Sequence, residues 1–61
     1  MSYEEYKEEI CEALCGMLEI TPSAAKVIAD EREEIIAHSY SRDLLPEEAA
    51  ELVYEGMIND E

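Results

Sequence analysis

The chain has 61 residues, 17 of them acidic and only four basic, for a net charge of −13 at pH 7, and 48% of it is hydrophobic. That length holds one domain, and the apolar content argues against disorder. The charge repels nucleic acid and anionic membranes and attracts basic surfaces. No apolar run is long enough to span a bilayer. "MSYEEYKEE" has neither the basic start nor the apolar centre of a signal peptide, so the expectation is a cytoplasmic protein with reduced thiols. A chain this short buries only about 60% of its unfolded surface. With no disulfide framework in view, association or binding is expected to supply part of its stability.

The first predicted helix runs over about 3–19. Ser2 is a good N-cap, and Glu5 completes a capping box three residues on. Tyr3, Tyr6, Ile10, Ala13, Leu14 and Met17 then recur on one helical stripe. "ITPS" ends it: Thr21 is an N-cap, and Pro22 takes the first helical position, where its missing N–H costs nothing. The second predicted helix, about 22–39, places Ala24, Ala25, Ile28, Ile35 and Ile36 on one side. "SYSRDLLP" breaks the chain again, and Pro46 opens a third helix over about 46–58. Glu47 and Glu48 suit its positive N-terminal end. Ala49, Leu52, Val53, Gly56 and Met57 form its inner stripe, with Asn59 as the stop. No strand, repeat or linker is visible. The expected fold is all-α, a compact three-helix bundle forming a single domain over 1–61.

Chemistry is scarce. Cys11 and Cys15 lie one helical turn apart, about 6 Å at Cβ, too far for an unstrained disulfide. A zinc ion would need two more ligands, and His38 is the one histidine. The cysteines therefore read as small, partly apolar helix residues. His38 falls to the side of its helix's apolar stripe, away from any orienting group, so no Cys–His nucleophile is expected. Phosphate-binding loops and nucleophile elbows are absent, and so small a chain lacks walls for a deep pocket. The expectation is a protein that is not an enzyme and uses neither metal nor cofactor.

The acidic residues are ordered. Glu4, Glu8 and Glu12 are spaced i, i+4, as are Glu47, Glu51 and Glu55, and Glu5/Glu9 and Asp30/Glu34 add two further pairs. Six such like-charge pairs cost helices about 1–3 kcal/mol together. Lys7 and Lys26 offset little of it. Each step along a rail rises about 6 Å, of the order of the phosphate spacing along one nucleic-acid strand. In charge and size the chain resembles the small acidic proteins, many phage-encoded, that block nucleic-acid-binding proteins, although no family motif carries the resemblance. The bland reading is that the charge serves solubility.

Three further features point to interfaces. Arg32 falls near the middle of the second helix's apolar stripe, where its stem packs and its head reaches a carboxylate at the bundle edge, or it pairs across an interface. Tyr54 and Ile58 lie outward among Glu47, Glu51 and Glu55, an apolar pair inside a charged rim. Cys11, Cys15 and Leu18 widen the apolar arc of the first helix, which could pack, with Arg32, against a second copy. The expected function is a non-enzymatic protein-binding module with a basic protein as partner, in the form of an inhibitor mimicking nucleic-acid charge and of phage or mobile-element type. It is expected to form a homodimer and to bind neither nucleic acid nor membrane directly. The alternative is a self-associating helical protein whose acidic surface only confers solubility.

Overall fold

Capping chemistry sets where the helices begin in the computed structural model, which describes residues 2–59, the side chain of Asn59 excepted. Ser2 Oγ accepts from the Glu5 N–H at 3.2 Å and opens α1, Tyr3–Leu18. Thr21 Oγ1 accepts from the Ala24 N–H at 3.2 Å and opens α2, Pro22–Glu31. The next segment, α3, covers Glu33–Ser41, and α4 covers Pro46–Asn59. Leu45 has no side-chain oxygen to cap α4. Its own N–H instead donates to the Glu48 carboxylate at 3.1 Å, the reciprocal half of a capping box. Where α4 gives way, at the stop expected of Asn59, lies outside the described residues.

The described residues form four helices rather than the expected three, because the segment over 22–39 is not continuous. It bends at Arg32, which sits at φ −109°, ψ 29°. The Arg32 N–H still donates to the Ile28 carbonyl at 3.0 Å, closing α2. Its carbonyl accepts from both Ile35 (3.1 Å) and Ile36 (3.2 Å), a tightened turn that starts α3. Neither glycine nor proline is present at the bend. The cause is the run Asp30–Glu31–Arg32–Glu33–Glu34, five charged residues in a row. A straight helix would carry the guanidinium into the seam between Ile28 and Ile35. Burying an imperfectly paired charge costs several kcal/mol, whereas a disturbed backbone hydrogen bond costs about 1 kcal/mol. The bend wins and leaves Arg32 half-buried. It also divides the labour: α2 packs chiefly on α1, and α3 chiefly on α4.

Nine apolar residues form the core: Tyr6, Ile10 and Leu14 of α1, Ala25 and Ala29 of α2, Ile36 of α3, and Ala49, Ala50 and Val53 of α4. Four of the nine are alanines, so backbones approach closely and the larger side chains of α1 fill the centre. Ile35 Cδ1 lies over Gly56, 3.5 Å from where a Cβ would stand. Ser39, fully buried, donates its hydroxyl to the Ile35 carbonyl at 2.9 Å. Two inward expectations fail. Met17 is 42% exposed and Leu52 is 41% exposed. The inner face of α4 centres on Ala49, Ala50 and Val53, and at 100° per residue Leu52 lies about 110° from that centre. Alanines let α1 come close and leave the leucine at the rim.

Left-handed residues end two helices. α3 closes in a Schellman motif: Leu44 N–H donates to the Ser39 carbonyl and Asp43 N–H to the Tyr40 carbonyl, each at 3.1 Å, with Asp43 at φ 60°. Glu19 ends α1 at φ 53°, ψ 48°. Aspartate tolerates this region better than glutamate does. Glu19→Gly should therefore raise stability by about 0.5–1 kcal/mol, a few degrees in Tm for a domain this size. Asp43→Gly should gain less. Melts followed by circular dichroism test this, with Glu19→Gln as the control for lost charge. Equal gains from the glycine and glutamine variants would show that repulsion, not backbone strain, is what Glu19 contributes.

Candidate functional site

α1 and α2 run antiparallel, joined by the short Glu19–Thr21 link. Along their length lies an open groove of about 690 Å³, lined by Glu4, Lys7, Glu8, Cys11, Glu12, Cys15, Pro22 and Lys26. The rail Glu4, Glu8 and Glu12 is exposed on the α1 side, and Pro22 and Lys26 are exposed on the α2 side. Cys11 and Cys15 lie between them, half-buried and packed against the core. Burial pushes the Cys11 thiol up from its ordinary value, against a smaller opposing pull from Lys7. A thiol held protonated at neutral pH is a poor nucleophile. The cysteines thus present a small apolar floor.

At one end of the groove Lys7 joins three helices. Its ammonium reaches Asp30 of α2 at 2.7 Å and Glu33 of α3 at 3.7 Å, on either side of the Arg32 bend. The hydrogen bond from Lys7 holds the Asp30 carboxyl below the usual aspartate range, and the same bond raises Lys7. Lys7, expected only to dilute the acidic rail, is instead the tie between α1 and the bend. The bend also separates Asp30 from Glu34, so that pair does not sit one turn apart on one helix. Five like-charge pairs remain on continuous helices, a cost of about 1–2.5 kcal/mol.

The second rail, Glu47, Glu51 and Glu55, is exposed on α4. Ile58 beside it is 54% exposed, while Tyr54 is half-buried and so less outward than expected. A smaller hollow of about 380 Å³ brings Glu9 and Glu12 of α1 to Glu47 of α4, over Ala13, Leu45 and Pro46. Glu12 borders both this hollow and the groove. The two rails therefore belong to one acidic surface. Sequence reasoning counted Glu9 only in a like-charge pair with Glu5 and missed the parts of Leu45, Pro22 and Lys26 in that surface. Leu45, 63% exposed, was signalled only by sitting in "LLP" between two helices.

The residues expected to serve self-association are scattered. Cys11, Cys15 and Leu18 pack against the chain's own core, and Arg32 lies at the bend. A tyrosine cluster holds α1 to α3: the Tyr40 ring stands edge-on to Tyr3 and Tyr6, with centroids 5.3 and 5.1 Å apart. The Tyr3 and Tyr6 hydroxyls are buried without a hydrogen-bond partner among the described residues. Burial raises both above the usual tyrosine value, with Glu33 adding to Tyr3 and Glu48 and Asp43 to Tyr6. His38 is exposed, and among the described residues no group of three or more His, Cys, Asp and Glu side chains is placed to hold a metal ion. No helix among them is long and apolar enough to cross a membrane.

The Lys7–Asp30 tie has a pH signature. Because the folded state lowers the Asp30 pKa, its contribution is present above the unfolded value, about 3.9, and is lost as pH falls through the lower folded value. Asp30→Asn should melt below wild type at pH 7, and the gap should close below about pH 4. A gap unchanged between pH 7 and pH 2.5 would show that the carboxylate charge is not what matters there. Compared with known protein families, curated proteins and solved structures, the chain matches none of them.

Proposed function

We propose that this protein is a non-enzymatic binding module that presents its acidic surface to a basic protein, in the manner of an inhibitor standing in for a nucleic-acid strand. The observation that carries this reading is the continuity of exposed charge across two helices, from Glu4 through Glu12 to Glu47 and Glu55. Glu4, Glu5, Glu8, Glu9 and Glu12 are all exposed on α1. Eight rises of about 1.5 Å separate the first from the last, so charge recurs about every 3 Å along the axis. One strand of duplex DNA carries a charge about every 3.4 Å. Lys7 does little to neutralise this surface, because Asp30 and Glu33 already hold it. Retaining repulsion that weakens a thin-cored chain favours a use for the charge.

A homodimer draws less support. Cys11, Cys15 and Leu18, which would have seated a second copy, are partly buried against the chain's own core, and two chains of −13 repel at long range.

The experiment captures the partner from the source cell and measures its association kinetics at low and high salt. The partner should be basic, nucleic acid should displace it, and association should slow steeply with salt. Glu47→Gln/Glu51→Gln/Glu55→Gln should slow association several-fold while the fold stays intact or gains slightly. Tyr54→Ala should act instead on dissociation. A partner that nucleic acid does not displace would overturn the mimic. A melting temperature that climbs with protein concentration, with no basic partner found, would favour self-association.

A further inference from the structure

Resting on that reading, the geometry points to the α1/α2 groove as the seat of the partner, and to an amphipathic basic helix, charged along one edge only, as what it takes. The groove is asymmetric. Its α1 edge carries Glu4, Glu8 and Glu12 at helical spacing, each exposed. Its α2 edge carries a cation, Lys26, also exposed. Between them the thiols of Cys11 and Cys15 offer an apolar strip one turn long.

Each feature constrains the occupant. Three carboxylates about 6 Å apart along an axis match Lys or Arg at i, i+4 and i+8 of a helix laid beside α1. The cysteine strip suits small or aliphatic side chains flanking that basic row, since an apolar groove takes the apolar face of a helix. Lys26 repels a cation on the opposite flank and favours a carboxylate there. The α4 rail lacks this combination: Glu47 borders the smaller hollow against α1, whose lining includes no cation, and the task of the rail is long-range attraction. Charge on α4 therefore brings the partner in, with Tyr54 as a contact at the rim, and shape on α1/α2 does most of the holding. Lys26 works against the general attraction to cations, and so serves selection rather than strength.

Two synthetic helical peptides test this. Both carry Lys at i, i+4 and i+8 with a leucine stripe alongside, and one has a Glu on the far flank where the other has Lys. Amide shifts of the full chain, followed by NMR during titration at low salt, locate the site. Shifts should centre on Cys11, Cys15 and Lys26, and the Glu-bearing peptide should bind several-fold tighter. Glu4→Gln/Glu8→Gln/Glu12→Gln should weaken binding about tenfold, at about twofold per exposed ion pair, with the α4 triple variant losing less. Lys26→Glu, at an exposed position and with its helicity checked by circular dichroism because Asp30 lies one turn on, should reverse the preference between the peptides. Shifts centred on Glu47–Ile58 would overturn the groove as the seat and leave the basic-partner reading standing. Binding to neither peptide, with no shift at any residue, would overturn both. An unchanged preference in Lys26→Glu would overturn the role given to that lysine.

Discussion

Five consecutive charged residues, Asp30 to Glu34, interrupt the apolar stripe between Ile28 and Ile35, and the bend at Arg32 within that run organises the rest of the molecule. Once the segment breaks, α2 is free to lie along α1 and α3 to lie along α4. Lys7 then closes the corner by reaching a carboxylate on each side of the bend. The charges that prevented a continuous helix thus supply the partners that fix its two halves. Exposed ion pairs are individually weak, so the tie orients the corner while the apolar contacts of Ala25, Ala29 and Ile36 hold it.

The same economy governs core and surface. A core in which alanine supplies four of nine members gains little from each of them, because burying a leucine or isoleucine is worth about 1.5–3 kcal/mol and alanine offers one methyl. Tyr6, Ile10, Leu14, Ile36 and Val53 carry most of the burial among the nine. Against that margin, the mutual repulsion of the glutamate rails is a sizeable term. Small residues at Ala25 and Ala29 let α2 lie close on α1, and the groove between the two helices has the thiols of Cys11 and Cys15 in its lining.

Much of the fold was legible in the sequence. Ser2 and Thr21 cap where their chemistry said they would, Pro22 and Pro46 open helices, and Glu47 and Glu48 sit in the first turn of α4. Local rules sufficed there because each involves residues within four positions of one another. The helix count was not legible, since periodicity carried smoothly through Arg32: Ile28, Ile35 and Ile36 share a stripe whether or not the backbone bends. What favours the break is the cost of carrying a guanidinium into the seam between Ile28 and Ile35, a tertiary quantity. Leu52 and Met17 were misplaced for a related reason. A stripe tells which residues share a face, but the neighbours' size decides which edge of it is covered. Of the candidate site, both rails could be read as spacing. Their meeting through Glu12 and Glu47, and the groove with its lysine edge, depend on how helices distant in sequence are laid together.

The tyrosine cluster gives this molecule an optical handle of its own. The chain has no tryptophan, so its four tyrosines are its ultraviolet chromophores. Three of them, Tyr3, Tyr6 and Tyr40, stand edge to face within 5.3 Å at the junction of α1 and α3. Rings held so close in fixed orientation couple their transitions and produce a near-ultraviolet dichroic band that disappears when the rings separate. Tyr54, on α4, is the fourth. The loss of that band reports the parting of α1 from α3 without any label, while the far-ultraviolet signal reports the helices themselves. Comparing the two transitions reveals whether the corner at Arg32 opens before the bundle melts or together with it.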